Sequence, residues 1–175
     1  MTKIVIMVIN KLLGLFPSIS AEDICDIVKE YYENGQLLSE IPYVRDEIHG
    51  IVTLYYENGQ LMLELPYVRG KKHGTWKWYY ENGQLMWETP WVKNKRHGIM
   101  KLYYENGKLE HEWPYKKGKR HGVEKWYYYE NGQLLWEIPY INGKKHGSWK
   151  GYYENGQLMW EIRYDCGKLI QEITL

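Results

Sequence analysis

The stretch YYENGQLMWE, residues 79–88, decides the fold, because near-copies of it occur throughout the 175-residue chain. The copies start at Tyr31, Tyr55, Tyr79, Tyr103, Tyr128 and Tyr152. Their Glu-Asn-Gly triplets are spaced by 24, 24, 24, 25 and 24 residues, and a His-Gly pair recurs with the same period. A period of this length predicts an array of stacked supersecondary units that bury their faces against one another.

Each copy of the stretch predicts a β-hairpin. Asn82-Gly83 lies between two runs rich in Tyr, Trp and Leu, which is the pattern of a two-residue type I′ turn with positive φ at both residues. In that register Lys77 faces Glu88 across the hairpin, and strand alternation places both on one face of the sheet. The opposite face, the natural buried one, holds Trp76, Trp78, Tyr80, Leu85, Trp87, Thr89 and Trp91.

Three further features refine the predicted array. Proline cannot donate to a ladder, so pairing is expected to lapse near the end of each second strand. These prolines are Pro42, Pro66, Pro90, Pro114 and Pro139. The fifth copy has one extra residue, which predicts a β-bulge near Tyr127. Residues 168–175 echo the repeat in shortened form and predict a last strand that caps the array.

The first 21 residues, MTKIVIMVINKLLGLFPSISA, differ from the rest of the chain. An early Lys, apolar runs and a small-residue ending are typical of a secretory signal peptide, cleaved here after Ser20 or Ala21. Asn10 and Lys11 interrupt the apolar region, so a terminal cap on the first repeat stays open as the alternative. No apolar stretch is long enough to span a bilayer as a helix. The predicted divisions are a leader or cap at 1–21, a repeat array at 22–164 and a capping strand at 165–175.

The basic stretches that contain His-Gly complete the repeat. They read GKKHG at 70–74 and 143–147, NKRHG at 94–98 and GKRHG at 118–122, and RDEIHG at 45–50 departs from the pattern. With the YYENGQL cores, these stretches resemble the membrane occupation and recognition nexus (MORN) family in its bacterial variant, over about residues 27–164. The resemblance implies an all-β fold, an elongated and twisted antiparallel sheet of about six stacked β-hairpin repeats. It also implies roles in protein–protein contact, scaffolding or membrane association, without catalytic residues, and some bacterial relatives are antitoxin-like.

No constellation of residues predicts catalysis or metal binding. Equivalent His-Gly histidines should lie roughly 10 Å apart along the stack, too far for two neighbours to share a zinc ion bound at about 2.0–2.1 Å. The glutamate at position 88 recurs in every repeat, and the sequence marks no pair of these residues as a catalytic acid and base. Cys25 and Cys166 have no metal-ligand spacing. We therefore predict a protein that is not an enzyme and that takes no cofactor or metal.

Two surfaces are candidates for binding. The formal net charge is only +1, so nucleic acid is not a predicted partner and an electrostatic function depends on local clustering. Stacking lines up the basic turns as a rim, whose candidate residues are Lys71, Lys72, Lys95, Arg96, Lys119, Arg120, Lys144 and Lys145. The second surface is the aromatic face, because Trp and Tyr are favoured at interaction hot spots. Its candidate residues are Trp76, Trp78, Trp87, Trp91, Trp113, Trp136, Trp149 and Trp160. For both surfaces a structural role stays open, as solvated edges for the basic turns and as mutual packing for the tryptophans.

These observations favour a non-enzymatic protein-binding module. If the leader is a signal peptide, the protein is secreted or periplasmic and contacts envelope or host components. The alternatives are a cytoplasmic antitoxin-like inhibitor that covers a toxin enzyme, and a scaffold bound to an anionic membrane surface along the basic rim. Self-association through the edges of the sheet is a further interaction that the fold would allow.

Overall fold

The computed structural model describes residues 26–174, so the predicted leader or cap at 1–21 and the last residue of the predicted capping strand lie outside the described residues. Every regular element in this range is a β-strand. No described helix has the length and apolar character needed to cross a membrane. The chain divides between Gln84 and Leu85 into two compact units, each built from antiparallel hairpins. The predicted all-β class is therefore confirmed.

The first unit contains seven of the strands. They are β1 (Asp26–Tyr31), β2 (Leu37–Val44), β3 (Glu47–Ile48), β4 (Gly50–Tyr55), β5 (Leu61–Val68), β6 (Lys71–Lys72) and β7 (Gly74–Tyr79). The second unit contains β8 (Leu85–Val92), β9 (Lys95–Arg96), β10 (Gly98–Tyr103), β11 (Leu109–Lys116), β12 (Lys119–Arg120), β13 (Gly122–Tyr127), β14 (Leu134–Ile141), β15 (Lys144–Lys145), β16 (Gly147–Tyr152), β17 (Leu158–Asp165) and β18 (Lys168–Thr174).

The long strands form a meander in each unit. In the first unit β2 pairs with β1 and β4, and β5 pairs with β4 and β7. In the second unit the pairing runs from β8 through β10, β11, β13, β14, β16 and β17 to β18. Each two-residue strand folds back on the end of the long strand before it. Consecutive hairpins are thus neighbours in space, as the predicted repeat array requires.

The Glu-Asn-Gly loops are not the predicted type I′ turns. In the hairpin of β4 and β5, the N–H of Tyr56 donates to the carbonyl of Gln60 at 2.8 Å, and the N–H of Gly59 donates to the carbonyl of Tyr56 at 2.8 Å. The loop therefore has three residues, and Gly59 has a φ of 84°, whereas the described Asn residues of these triplets all lack positive φ. This is a type I turn closed by a glycine bulge. Asn58 Oδ1 accepts the N–H of Gln60 at 2.9 Å, which is the local bond that favours Asn in turns.

The predicted register survives, because a bulge in the strand offsets the longer loop. In the same hairpin Leu54 pairs with Leu63 as predicted, whereas Tyr55 pairs with Leu61. Met62 is the additional residue, so two residues of β5 oppose one of β4. The same register shift occurs in the hairpins β1–β2, β10–β11, β13–β14 and β16–β17. The bulge is a property of the repeat.

The extra residue of the fifth repeat is accommodated in its loop. The shift at Tyr127 is the one that the other hairpins share, so the prediction that a bulge there absorbs the insertion is wrong. The N–H of Tyr128 donates to the carbonyl of Gln133 at 2.8 Å, and the N–H of Gly132 donates to the carbonyl of Tyr128 at 2.9 Å. The loop thus has four residues, and the ring of Tyr129 packs edge-on against Tyr104 with centroids 4.8 Å apart. A loop tolerates an insertion at lower cost than a ladder.

Type I′ turns occur instead in the basic stretches. Arg45 and Asp46 have φ of 50° and 63°, and Lys93 and Asn94 have φ of 48° and 65°. Positive φ at both central residues defines this turn type. The flanking residues of the first such turn pair directly, Val44 with Glu47.

Pairing also continues through the prolines, contrary to prediction. Ile99 pairs with Pro114, and the carbonyl of Pro114 accepts the N–H of His121 at 3.0 Å. The ladder needs only the proline carbonyl here, so the missing N–H costs nothing. The glycine after four of the His-Gly histidines lies against a proline ring: a Cβ on Gly98 would be 2.8 Å from Pro90 Cγ. The recurring Pro and His-Gly therefore form one corner of the repeat.

The predicted last strand is confirmed as β18, which pairs with β17 from Asp165–Lys168 to Trp160–Thr174. The side chains buried beneath the surface are few. Apart from prolines, the buried apolar residues in the described range are Ile27, Val52 and Ile138. A single layer of sheet accounts for this, since no described residues of either unit form a second layer over a face.

The contact between glycine and proline at this corner predicts that the same substitution changes stability differently at two glycines. Gly98→Asn should lower the free energy of unfolding by about 1–3 kcal/mol, because Gly98 has a φ of 118° and a side chain there would meet Pro90. Gly118→Asn is the matched control. Gly118 has a φ of 85° in a basic turn where another repeat already carries Asn94, so this change should stay within about 0.5 kcal/mol. Urea unfolding of both variants measures the difference, and equal losses would contradict the close fit at the corner.

Candidate binding surface

The predicted tryptophans of the aromatic face are all half-buried. Trp76 and Trp78 lie on β7 in the first unit, and the remaining six lie on strands of the second unit. None of the eight is fully buried or fully exposed. The prediction that the residues pack against one another and remain partly open agrees with these positions, while their role in binding stays a prediction.

Direct ring contacts join the tryptophans of the second unit. Trp126 and Trp136 have ring centroids 5.4 Å apart, and Trp149 and Trp160 meet edge to face at 5.1 Å. Trp126 also contacts Trp113 at 6.0 Å. Such arrangements stabilise a pair by roughly 0.5–1.5 kcal/mol beyond the area they bury. Sequence analysis left out Trp126, although it lies one strand position from Tyr127 exactly as Trp78 does from Tyr79.

The predicted basic rim divides into two sets of residues. The second cation of each pair lies over an aromatic ring, and we call these four residues the cation cover: Lys72, Arg96, Arg120 and Lys145. Lys145 Nζ lies 3.9 Å from the ring centroid of Trp149, and Lys72 Nζ lies 4.1 Å from that of Trp76. Arg96 lies 5.6 Å from the Trp91 ring and 5.2 Å from the Tyr115 ring, and Arg120 lies 5.2 Å from the Tyr140 ring. These are cation–π distances.

The first cation of each pair faces solvent. We call these residues the outer lysines: Lys71, Lys95, Lys119 and Lys144. The aromatic face and the basic rim are therefore not separate surfaces. Half of the predicted rim covers the aromatic rings, and the outer lysines border them.

The repeated glutamates are held between neighbouring hairpins. Lys101 Nζ lies 3.4 Å from Glu88, and the hydroxyl of Tyr103 donates to the same carboxylate at 3.1 Å. The corresponding tyrosine bonds join Tyr79 to Glu64, Tyr127 to Glu112 and Tyr152 to Glu137. Burial and the charge of Glu88 raise the pKa of Tyr103 to about 12. A carboxylate bonded by a lysine and a tyrosine links neighbouring strands of the sheet. This arrangement supports a structural role for the repeated glutamates.

A buried polar pair interrupts the aromatic face. His111 is fully buried, and its Nε2 lies 3.1 Å from Oε1 of Glu124, which is also buried. The imidazole lies between the indoles of Trp113 and Trp126, with ring centroids 3.3 and 3.4 Å away. Arg120 donates to Glu124 Oε2 at 2.6 Å, and the indole N–H of Trp126 donates to Oε1 at 3.1 Å. The carboxylate is thus bonded by three groups.

His111 is neutral in this environment. Burial lowers the pKa of His111, in spite of the opposing hydrogen bond with Glu124. Burial alone would raise the pKa of Glu124, but the hydrogen bonds from His111 and Trp126 and the charge of Arg120 hold it below its usual value. Within the described residues, Nδ1 of His111 is buried without a partner. A second proton there would be a buried donor with no acceptor, which is costly.

Sequence analysis missed this pair, although a signal exists. Equivalent positions hold Leu63 and Trp87 where His111 stands, and Val52 and Met100 where Glu124 stands. His111 pairs with Trp126, so Glu124 is its diagonal neighbour on the same sheet face. Two polar residues at such mainly apolar positions indicate that they contact each other.

The backbone N–H of each His-Gly histidine donates to the carbonyl of the proline seven residues before it, and two of the rings also meet the turn of the following repeat. In the first unit the N–H of Arg69 donates to His49 Nδ1 at 3.2 Å, and burial lowers the pKa of His49. The last of these histidines has different neighbours: His146 Nδ1 lies 3.2 Å from Asp165 Oδ1 and 3.9 Å from Cys166 Sγ. Sequence spacing could not predict this cluster, because a 20-residue separation becomes a contact only through the stacking of turns.

The buried pair predicts a pH dependence of stability. Because the folded state lowers the pKa of both His111 and Glu124, the unfolded chain takes up more protons as the pH falls below about 6.5, the ordinary value for His. Their contribution is therefore complete above that pH and is lost on acidification. The double variant His111→Leu with Glu124→Met, which copies other repeats, should lose less unfolding free energy than the wild type between pH 7.5 and 5.

A single substitution at Glu124 is the control for packing in this experiment. Glu124→Gln alone should cost roughly 1.5–3 kcal/mol at pH 7.5, because it weakens bonds to a buried charge, whereas the double variant should be close to neutral. The other titrating groups, including His49, are common to all variants. Urea unfolding at each pH measures the slopes, and parallel slopes for the wild type and the double variant would show that the pair does not titrate as inferred.

Comparison with known proteins places this architecture among described repeats. A family model for the MORN repeat variant matches six segments, residues 27–45, 48–69, 72–92, 96–117, 120–142 and 145–165. No curated protein matches the chain.

The crystal structure of TarM shares 15% identity over 78% of this chain and 23% of its own, with a TM-score of 0.38. A mutant of S. aureus TarM in complex with fondaparinux, α-GlcNAc-glycerol and UDP gives the same identity and TM-score and is covered to 24%. The chain thus spans about a quarter of these proteins, and a likeness this low carries no argument about activity. Five of the matched segments each correspond to one of the five hairpins described above, the segment 72–92 contains the third copy of the repeated stretch, and the chain belongs to the MORN repeat variant family.

Proposed function

We propose that this protein is a non-enzymatic binding module whose aromatic face receives a protein partner. MORN repeats are in general protein- or membrane-binding modules, and that coarse role fits an open sheet. The observation that carries the proposal is the incomplete burial of the aromatic face: its tryptophans are half-buried, while the buried apolar side chains among the described residues are Ile27, Val52, Ile138 and two prolines. Half-covered tryptophans are the groups that dominate binding energy when a partner completes their burial.

The charge around the face favours an acidic partner. In the second unit the outer lysines Lys95, Lys119 and Lys144 are exposed beside the aromatic residues. The cation cover lies directly on the rings at 3.9–5.6 Å, so a partner that supplies carboxylates can engage these cations while its apolar groups contact the indoles. Complementary charge of this kind mainly raises the rate of association and fixes the orientation of the complex.

Charge reversal of the outer lysines tests the proposal. A triple variant with Lys95→Glu, Lys119→Glu and Lys144→Glu should lower recovery of a cross-linked protein complex at least about tenfold at low salt, because attraction to an acidic partner becomes repulsion. The matched control reverses three exposed charges of the Glu-Asn-Gly loops, with Glu81→Lys, Glu130→Lys and Glu154→Lys. The control should retain the complex. Quantitative pull-down with both variants measures the difference, and equal recovery would remove the outer lysines from the proposal.

The same triple variant separates the remaining alternatives. The exposed row of outer lysines also suits an anionic bilayer, to which each cation contributes about 1 kcal/mol near the surface. Flotation with anionic but not neutral vesicles, lost in the triple variant, would favour a membrane scaffold over the protein-binding proposal. Recovery of a toxin enzyme whose activity the protein inhibits would identify the partner class as that of an antitoxin-like inhibitor.

Export is the part of the proposal that rests on residues 1–21 alone. If this segment is a signal peptide, mass spectrometry of the protein purified from its native cells should find a mature chain that starts at Ala21 or Glu22. The exported protein would then meet envelope or host components. A mature chain that retains the segment would contradict export and favour the cytoplasmic alternative.

A further inference from the structure

We propose that His146, Asp165 and Cys166 form a binding site for a borderline-soft divalent cation such as Zn²⁺. Among the described residues, these three form the single group of His, Cys, Asp or Glu side chains placed to share an ion. The site lies in the second unit, where the last type I′ turn stacks on the turn before it. It is independent of the partner proposed for the aromatic face.

The stacking of turns brings the three residues together. The N–H of Gly167 donates to the carbonyl of Lys145 at 2.8 Å, and the N–H of Cys166 lies 3.4 Å from Nδ1 of His146. The bond of Gly167 holds the Asp165-Cys166 segment beside the histidine, and a metal ion at Nδ1 of His146 takes the place of the long contact with the N–H of Cys166. The approach of the side chains does not depend on a flexible loop.

In other repeats the equivalent turn follows a histidine in the same way, but its residues carry no metal-binding side chain. The first unit places the N–H of Arg69 3.2 Å from Nδ1 of His49, and Val68 stands where Asp165 stands in the last turn. In the second unit the corresponding residues are Lys116 and Lys117, and Ile141 and Asn142. A repeat architecture thus positions one histidine beside each turn, and only the last turn supplies a carboxylate and a thiol.

The distances suit one ion. Nδ1 of His146 is 3.2 Å from Oδ1 of Asp165 and 3.9 Å from Sγ of Cys166, and all three donor atoms lie within 4.8 Å of one another. Tetrahedral zinc with bonds of about 2.0–2.3 Å separates its ligands by about 3.3–3.6 Å. Rotation of the Asp165 and Cys166 side chains, with release of the N–H of Cys166 from Nδ1, brings the three donor atoms to these separations.

The donor set selects the class of metal. One nitrogen, one oxygen and one sulfur suit Zn²⁺ or Co²⁺, whereas Mg²⁺ and Ca²⁺ require oxygen ligands. Three protein ligands leave the fourth position of a tetrahedron to water or to a group from a partner. The side chains of His146 and Asp165 are 41% and 63% exposed, so an ion can enter from solvent. Binding replaces the thiol proton of Cys166, and that proton leaves to solvent.

Metal titration of the full chain tests the site. Calorimetric titration with ZnCl₂ under reducing conditions should show one ion per chain, and CoCl₂ should produce a thiolate-to-cobalt charge-transfer band. Cys166→Ser should abolish that band, and His146→Gln and Asp165→Asn should each weaken zinc binding at least about tenfold, since even loss of an outer-shell partner costs roughly 10–100-fold.

Two matched controls complete the experiment. His97→Gln removes an equivalent histidine whose neighbouring turn carries only lysines, and Cys25→Ser removes the other thiol, so neither should change the stoichiometry or the affinity. Circular dichroism of each variant confirms folding. Binding that the three ligand substitutions leave unchanged, an effect of Cys25→Ser equal to that of Cys166→Ser, or no uptake of zinc by the folded wild type would overturn the proposal.

Discussion

Within each unit, the hydroxyl of the second tyrosine in a Tyr-Tyr pair joins neighbouring repeats. Tyr32 donates to the main-chain carbonyl of Tyr55 at 2.8 Å, and Tyr56 donates to that of Tyr79 at 2.7 Å. In the second unit the same bond joins Tyr104 to residue 127 and Tyr128 to residue 152. The first tyrosine of each pair reaches back to the glutamate of the preceding repeat. Both neighbouring repeats are bound in this way by Tyr55-Tyr56, Tyr103-Tyr104 and Tyr127-Tyr128. Phenylalanine could make neither bond, which fits a chain with 18 Tyr and one Phe.

A single-layered sheet depends on such hydrogen bonds between repeats because it buries few side chains. Within residues 26–174, both faces of each unit lack a second layer, so apolar burial contributes less than in a sandwich of the same length. The aromatic face compensates by covering its rings with its own cations, as Lys145 does for Trp149. This cover keeps the indoles soluble and close to the surface. A partner that binds there meets aromatic groups and positive charge at the same positions, so the two cannot be assigned to separate functions.

Sequence alone predicted the period, the hairpins and the composition of the two faces, because these follow from alternation and from the turn residues. It misplaced the turn types. Asn-Gly suits a type I′ turn, yet Asn58 instead bonds to the N–H of Gln60 and only Gly59 has positive φ. Strand pairing was expected to end near Pro114, but the carbonyl of Pro114 accepts the N–H of His121 and the hydrogen-bonded ladder continues. Neither outcome could be predicted from residue preferences, because the bulge and the corner depend on the neighbouring strand.

The side chains that could give this chain a specific chemistry occur at positions where one repeat differs in sequence from the others. The array fixes which positions meet, so a residue that differs in one repeat acquires a known set of neighbours. His111 and Glu124 both replace apolar residues, and they bond to each other at 3.1 Å inside the aromatic face. Asp165 and Cys166 replace residues that cannot ligate, and both lie beside a histidine that the repeat retains for its corner. A substitution of this kind needs no new backbone geometry. In a repeat protein a site can therefore arise from one or two residue changes, because the histidine and the stacked turn that complete it already recur along the array.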